Sequence, residues 1–227
     1  MTSSASTRRV NDIFLGPLER PALQWLGQRM PGWVSPDVLT LLGFFASLFV
    51  GVSYWLTQVS PFFLWLASFG LVLNWFGDSL DGTVARLRHI ERPRYGYFLD
   101  HSLDVLGGFF VGVGVGLSPY VDFGCAMVAL LGYLLMSVSV HVRMFAEGVF
   151  TMSYAGIGTT EIRLFLILVN TIVFFAGNPH VDLPLGRLTV YDLCALVMGL
   201  VLIGAFIVVT WKVALRLRDA EDPARRP

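Results

Sequence analysis

The sequence predicts an all-α, polytopic membrane protein of about six transmembrane helices, preceded by an interfacial amphipathic helix. Composition is the first reason: hydrophobic residues fill 55% of 227 positions and charged residues 14%, with 18 Phe and 6 Trp, more apolar surface than a soluble core of this length needs. Segregation is the second. Val38 to Gly77 contains no Lys, Arg, Asp or Glu, and Val105 to Val142 contains one such residue, Asp122. Runs long enough to cross about 30 Å of hydrocarbon at about 1.5 Å per residue follow from these gaps.

Residues 1–36 form an N-terminal segment whose first 11 positions are polar and carry no secretory signal. From Asp12 to Met30, Ile13, Phe14, Leu15, Leu18, Leu23, Trp25 and Leu26 alternate with Arg20 and Arg29, which predicts an amphipathic helix at the membrane surface, broken at Pro17 and Pro21. Residues 37–217 are the membrane domain, with spans near 38–57, 61–77, 103–121, 122–142, 163–176 and 190–211. The fifth is short unless it starts around Thr159, and Ser118-Pro119 marks the break between the third and fourth. The tail, 218–227, reads DAEDPARRP after Arg218 and is expected to be solvated and disordered. No internal repeat or low-complexity region divides the chain.

Net charge is zero, which implies no bulk attraction to nucleic acid; the placement of charge is more telling. Arg8, Arg9, Arg20 and Arg29, then Arg86 to Arg94, then Arg143 and Arg163, then Lys212 to Arg226 all fall on one side of the predicted spans, whereas the opposite loops share a single Arg. Positive charge stays cytoplasmic, so both termini and the loop after the second span are expected in the cytoplasm, with a bacterial inner membrane as the expected setting. Cys125 and Cys194 have no metal-ligand spacing and read as packing residues. Trp33, Trp55, Trp65 and Trp75, near span ends, read as interface anchors, and Lys212, Arg216 and Arg218 as anchors or contacts for anionic headgroups.

Chemistry is concentrated between Asp78 and Asp104. Asp78 and Asp81, three apart, share a face if the second span stays helical through Arg86, with Gly82 and Ala85 on the same stripe; Asp100 and Asp104, four apart, share a face of the third helix, with Gly96 one turn earlier. A carboxylate near a bilayer core costs roughly 2.5–3.5 kcal/mol, so four on facing helices call for cations. Two divalent ions balance four carboxylates, hard oxygen donors suit Mg²⁺ or Mn²⁺, and paired ions clamp displacements at phosphorus.

The order D-x-x-D-G-x-x-A-R, nine residues, G-x-x-x-D-x-x-x-D resembles the signature of the CDP-alcohol phosphotransferases, membrane enzymes of phospholipid synthesis. Asp78, Asp81, Gly82, Ala85, Arg86, Gly96, Asp100 and Asp104 fill every fixed position. The resemblance implies six transmembrane helices, a cytoplasmic-facing site, two Mg²⁺ or Mn²⁺ ions and a homodimer. It implies metal ligands at Asp78, Asp81, Asp100 and Asp104, with Asp104 also the catalytic base. It further implies a CDP moiety held at Asp78, Gly82, Ala85 and Arg86. An alcohol would attack the β-phosphorus of a CDP-activated donor such as CDP-diacylglycerol, releasing CMP. The alternative within the family is a CDP-choline or CDP-ethanolamine donor with diacylglycerol as acceptor; the His after Asp100 is similar to that branch.

Four residues are candidates for the acceptor pocket: His101, Arg143, Glu161 and Arg163. His101 projects about 100° from Asp100 around the helix and is otherwise a polar packing group. Thr159 is placed to cap the fifth span with Ile162 at the capping-box position, which leaves Glu161 unexplained by capping. Arg163 is otherwise a positive-side anchor, and His141 ends the fourth span beside Arg143. Gly108, Gly112 and Gly116 form a small-residue stripe, expected to pack within the molecule rather than form a dimer seam. Outside enzymology, a divalent-cation transporter would also place carboxylates in a membrane, but on several helices near mid-depth, unlike this edge cluster.

Overall fold

The computed structural model describes residues 8–10, 15–147, 149–151, 158–183 and 186–221. Seven helices follow in order: α1 (Gly16–Arg29), α2 (Pro36–Leu56), α3 (Phe63–Leu87), α4 (Pro93–Gly116), α5 (Phe123–Glu147), α6 (Thr159–Ala176) and α7 (Val190–Glu221). The last six are long and apolar enough to cross a membrane, as expected. Two small ribbons join them: Arg8–Val10 pairs in parallel with Val149–Thr151, and His180–Leu183 pairs with Gly186–Thr189 as a hairpin between α6 and α7.

Helix α1 is continuous, which corrects the expected break at its prolines. Pro17 lies in the first turn, where its missing N–H has no partner to lose, and the helix runs on through Pro21. The expected residues 12–14 lie outside those described. One face, with Leu23, Leu26 and Met30, packs on Leu80 and Val84 of α3; the other leaves Leu18 and Trp25 exposed. Such a two-faced helix lies along a membrane surface. Its link to α2 is held by Arg88, whose guanidinium donates to the carbonyls of Met30, Pro31 and Val34 at 2.9, 2.9 and 2.6 Å.

The ends of the spans have local causes. Ser35 caps α2, its Oγ accepting from Val38 N at 3.3 Å, and Pro36 opens the helix. Helix α3 closes with paired bonds, His89 N to Arg86 O at 3.2 Å and Ile90 N to Ala85 O at 3.1 Å, which force His89 to a positive φ of 54°. Asp122 caps α5 by accepting from Gly124 N and Cys125 N. Thr189 and Asp192 cap α7 reciprocally at 2.7 and 3.0 Å. Helix α7 continues past Arg218 to Glu221, so residues 218–221 of the expected tail are helical; 222–227 lie outside those described.

Helix α2 is central: it packs on α3 and α4, α6 packs on α3, and α5 bridges α4 and α7. The main core, including Val50, Tyr54, Leu71, Val115, Ala126 and Tyr191, fills the end remote from the four Asp residues. Side chains of α5 meet the glycine stripe: Tyr133 covers Gly108, Leu130 covers Gly112 and Phe123 covers Gly116. The stripe therefore packs within the molecule.

Candidate active site

Helices α3 and α4 each bring two carboxylates to one end of the bundle, and α2 fixes their separation. A Cβ on Gly77 would stand 2.5 Å from Gly43 N and 2.6 Å from Leu39 O, so α2 and α3 touch backbone to backbone one residue before Asp78. Helix α4 closes on α2 in the same way: a Cβ on Gly51 would stand 2.5 Å from Phe110 O. Asp78, Asp100 and Asp104 thereby line one small cavity with Thr40, Ser47 and Asn74.

Each carboxylate has a distinct environment. Asp81 is 7% exposed; Thr40 Oγ1 donates to its Oδ2 at 2.6 Å and the Gly82 N–H to its Oδ1. Asp78 forms an ion pair with Arg163, whose Nε donates to Asn74 Oδ1 at 2.7 Å. Asn74 is fixed in turn by donating to Gly43 O and Ser47 Oγ, both at 2.9 Å. On α4, His101 Nδ1 lies 3.3 Å from Asp100 Oδ2 and 3.8 Å from Asp104 Oδ2. Asp100, His101 and Asp104 thus offer three ligand atoms within 4.8 Å of one another, a spacing that can hold a cation. With Asp78 across the same cavity the donor set is rich in oxygen, which fits Mg²⁺ or Mn²⁺.

Of the expected acceptor residues, two lie at this site. Arg163 reaches across from α6, and its NH1 is buried without a hydrogen-bond partner among the described residues. His101 stands edge-on to Tyr97 and His141, with ring centroids 4.3 and 5.4 Å away, which also brings His141 beside the site. Arg143 is engaged with Glu147 at 3.0 Å. Glu161 is explained by capping after all: Gly158, not Thr159, is the N-cap, so Glu161 occupies the third helical position and accepts from Gly158 N at 2.8 Å. Its other oxygen accepts from Leu15 N at 3.1 Å. Arg86 donates to Thr83 Oγ1 at 3.2 Å, beside Gly82.

Sequence reasoning missed Thr40, Asn74 and Glu19. Asn74 was legible, one turn before Asp78 on the same face. Thr40 sits in the second turn of an otherwise apolar helix whose one charged residue is Asp37, and nothing local marks it. Glu19 accepts at Oε1 from Trp75 Nε1 at 2.7 Å, Thr160 Oγ1 at 3.0 Å and Ser79 Oγ at 3.3 Å, which fastens α1 to α3 and α6 next to the site. Trp75 is therefore a structural donor rather than a simple interface anchor.

A second, mostly apolar cavity, open along one side, starts at Asp104, Asn74 and Arg163 and runs down the bundle between α4, α5, α6 and α7. Helices α6 and α7 converge at its far end, where Tyr191 OH donates to Asn170 Oδ1 at 3.0 Å. They do not pack on one another along their length.

A bundle of six apolar helices with facing carboxylate pairs at one end, beside an apolar cavity, has the make-up of a membrane enzyme. The family model of the CDP-alcohol phosphatidyltransferases matches residues 33–217, and the chain belongs to that family. It is similar to cholinephosphotransferase 1 of Rattus norvegicus, 29% identical over 195 residues, covering 77% of this chain and 47% of that protein. Cholinephosphotransferase 1 of Gallus gallus is 26% identical over 176 residues, covering 72% of this chain and 50% of that protein. Archaetidylinositol phosphate synthase of Methanothermobacter thermautotrophicus is 27% identical over 143 residues, 63% of this chain and 69% of that protein. The chain spans about half the length of the cholinephosphotransferases it matches.

Proposed function

We propose that this enzyme transfers the phosphoalcohol group of a CDP-linked small alcohol, such as CDP-choline or CDP-ethanolamine, to a lipid alcohol such as diacylglycerol, releasing CMP. The observation that carries this reading is the apolar cavity that begins at Asp104 and Arg163. Asp104 is the candidate base, so the space beside it belongs to the nucleophile, and that space suits hydrocarbon. A CDP-diacylglycerol donor with a polar acceptor would need the reverse. The similarity to cholinephosphotransferases over most of this chain supports the same choice.

In this reading Asp78, Asp81, Asp100 and Asp104 hold two divalent cations, which when bound neutralise the diphosphate and its leaving group. Gly82 and Ala85 leave room for cytidine, and Arg86 meets a phosphate oxygen as a fixed positive fork. Asp104 takes the proton of the acceptor hydroxyl as that oxygen bonds to the β-phosphorus. The bond from the β-phosphorus to the bridging oxygen breaks, and that oxygen leaves on CMP. Arg163 keeps Asp78 oriented by pairing with it through NH2 while its Nε donates to Asn74, and offers NH1 toward the acceptor. Residues 37–217 are the catalytic unit, the site faces the cytoplasm, and two copies form a homodimer.

The test is CMP release by purified protein in detergent with Mg²⁺ or Mn²⁺. CDP-choline or CDP-ethanolamine with diacylglycerol is compared with CDP-diacylglycerol and a panel of polar alcohols. Metal-dependent CMP with the first pair alone is expected. CMP with the second alone overturns the direction of transfer while keeping the family chemistry, and CDP-independent cation flux in proteoliposomes would return the transporter.

A further inference from the structure

Tyr191, at the far end of the apolar cavity, belongs to a polar cluster that the chemistry does not use. Tyr54 of α2 and Tyr191 of α7 both donate to Asn170 Oδ1 of α6 at 3.0 Å, their own hydroxyls stand 3.3 Å apart, and Asn170 Nδ2 donates to Ser68 Oγ of α3 at 3.1 Å. All four residues are buried, Tyr54 and Asn170 at 0% and 1% exposure. The cluster ties four helices where α6 and α7 converge, and Tyr191 lines the cavity.

We propose that this hydrogen-bonded floor measures the acyl chain of the lipid substrate. The proposal rests on the lipid-acceptor reading above. Asp104 and Val115 on α4 both line the cavity, as do Leu202 and Tyr191 on α7. Each pair is eleven residues apart, which is about 16 Å of helix. Carbon–carbon bonds of about 1.5 Å at an angle of about 111° advance roughly 1.25 Å per atom, so about 13 atoms of extended chain fit between the carboxylate and the floor. Up to that length, each methylene entering the cavity adds about fourfold in affinity. Beyond it the chain meets hydroxyl and amide groups that already satisfy one another, and hydrocarbon offers them nothing in exchange for those bonds. The gain per methylene therefore stops at the floor.

Ala195, one turn after Tyr191 on the same face, lines the cavity just above this floor and has no polar side chain to contribute to it. The two positions therefore act in opposite directions. With CDP-choline as donor and an equimolar mixture of diacylglycerols from 8 to 18 carbons, mass spectrometry of the products gives a ratio of long to short chains. That ratio does not depend on how much active protein each sample holds. Tyr191→Ala lowers the floor and is expected to raise the ratio roughly tenfold, the worth of between one and two further methylenes; Ala195→Leu raises the floor and is expected to lower it by a similar factor. If Tyr191→Ala fails to fold, Ala195→Leu still carries the test. Unchanged ratios in folded variants, with the wild type active, overturn the floor alone. A wild type that releases no CMP with any diacylglycerol, yet does so from CDP-diacylglycerol with a polar alcohol, overturns the acceptor reading and this inference with it.

Discussion

Thr40→Val is the most informative single change, because it removes one hydroxyl, shared between Asp81 and the Pro36 carbonyl, and almost no volume. Thr40 Oγ1 donates to Asp81 Oδ2 at 2.6 Å, and Asp81 is 7% exposed, so water does not replace the lost donor freely. A hydrogen bond to a buried charged acceptor contributes about 1.5–3 kcal/mol. If that contribution holds the Asp81 carboxylate in its ligating orientation, the variant needs about 10–100 times more Mg²⁺ for half-maximal CMP release, the usual effect of removing the support behind a metal ligand. The rate at saturating Mg²⁺ should fall much less, since Asp104 and the acceptor cavity are untouched. Thr40→Ser, which keeps the hydroxyl, should follow the wild type. An unchanged Mg²⁺ curve for Thr40→Val, or equal losses in both variants, would refute the role assigned to this contact.

Asp78→Asn, Asp100→Asn and Asp104→Asn should each abolish CMP release while the protein stays monodisperse in detergent; activity in more than one would sink the site. Chelation with EDTA should stop turnover reversibly, and restored Mg²⁺ should raise the melting temperature of the wild type more than that of Asp100→Asn. Glu19→Ala removes the shared acceptor of Trp75, Ser79 and Thr160 and should expose the α1–α2 link to limited proteolysis, at a cost of about 1.5–3 kcal/mol in thermal stability; unaltered cleavage would show that apolar packing alone docks α1. His89→Gly should stabilise by about 0.5–1 kcal/mol, because the positive φ at the end of α3 costs a side-chain-bearing residue about 1–2 kcal/mol and glycine gives back only part through its own entropy. A lower melting temperature would contradict that account.

The spans and the four carboxylates were legible because both are local signals: runs without charge, and Asp at helical spacing. Thr40, Glu19 and the Tyr54–Asn170–Tyr191 cluster were not, since each acts across helices far apart in sequence, and no periodicity announces a partner 41 or 116 residues away. The misreading of Glu161 was smaller in origin. Moving the start of α6 by one residue, from Thr159 as cap to Gly158, converts an unexplained carboxylate into the group that closes the helix end. Pro17 misled for a related reason, because a proline in the first turn of a helix loses no hydrogen bond, whereas Pro21 lies inside α1 and still does not end it.

Helix α2 carries no member of the carboxylate quartet, yet it touches both helices that do, through Gly43 against Gly77 and Gly51 against the backbone of Phe110. With no side chain to compress at either crossing, it behaves as a rigid spacer. Changes in bilayer thickness or lateral pressure can tilt the outer helices without altering the gap between α3 and α4. The carboxylate cluster is thereby insulated from the surrounding lipid, so a single geometry of the site can serve membranes of different composition.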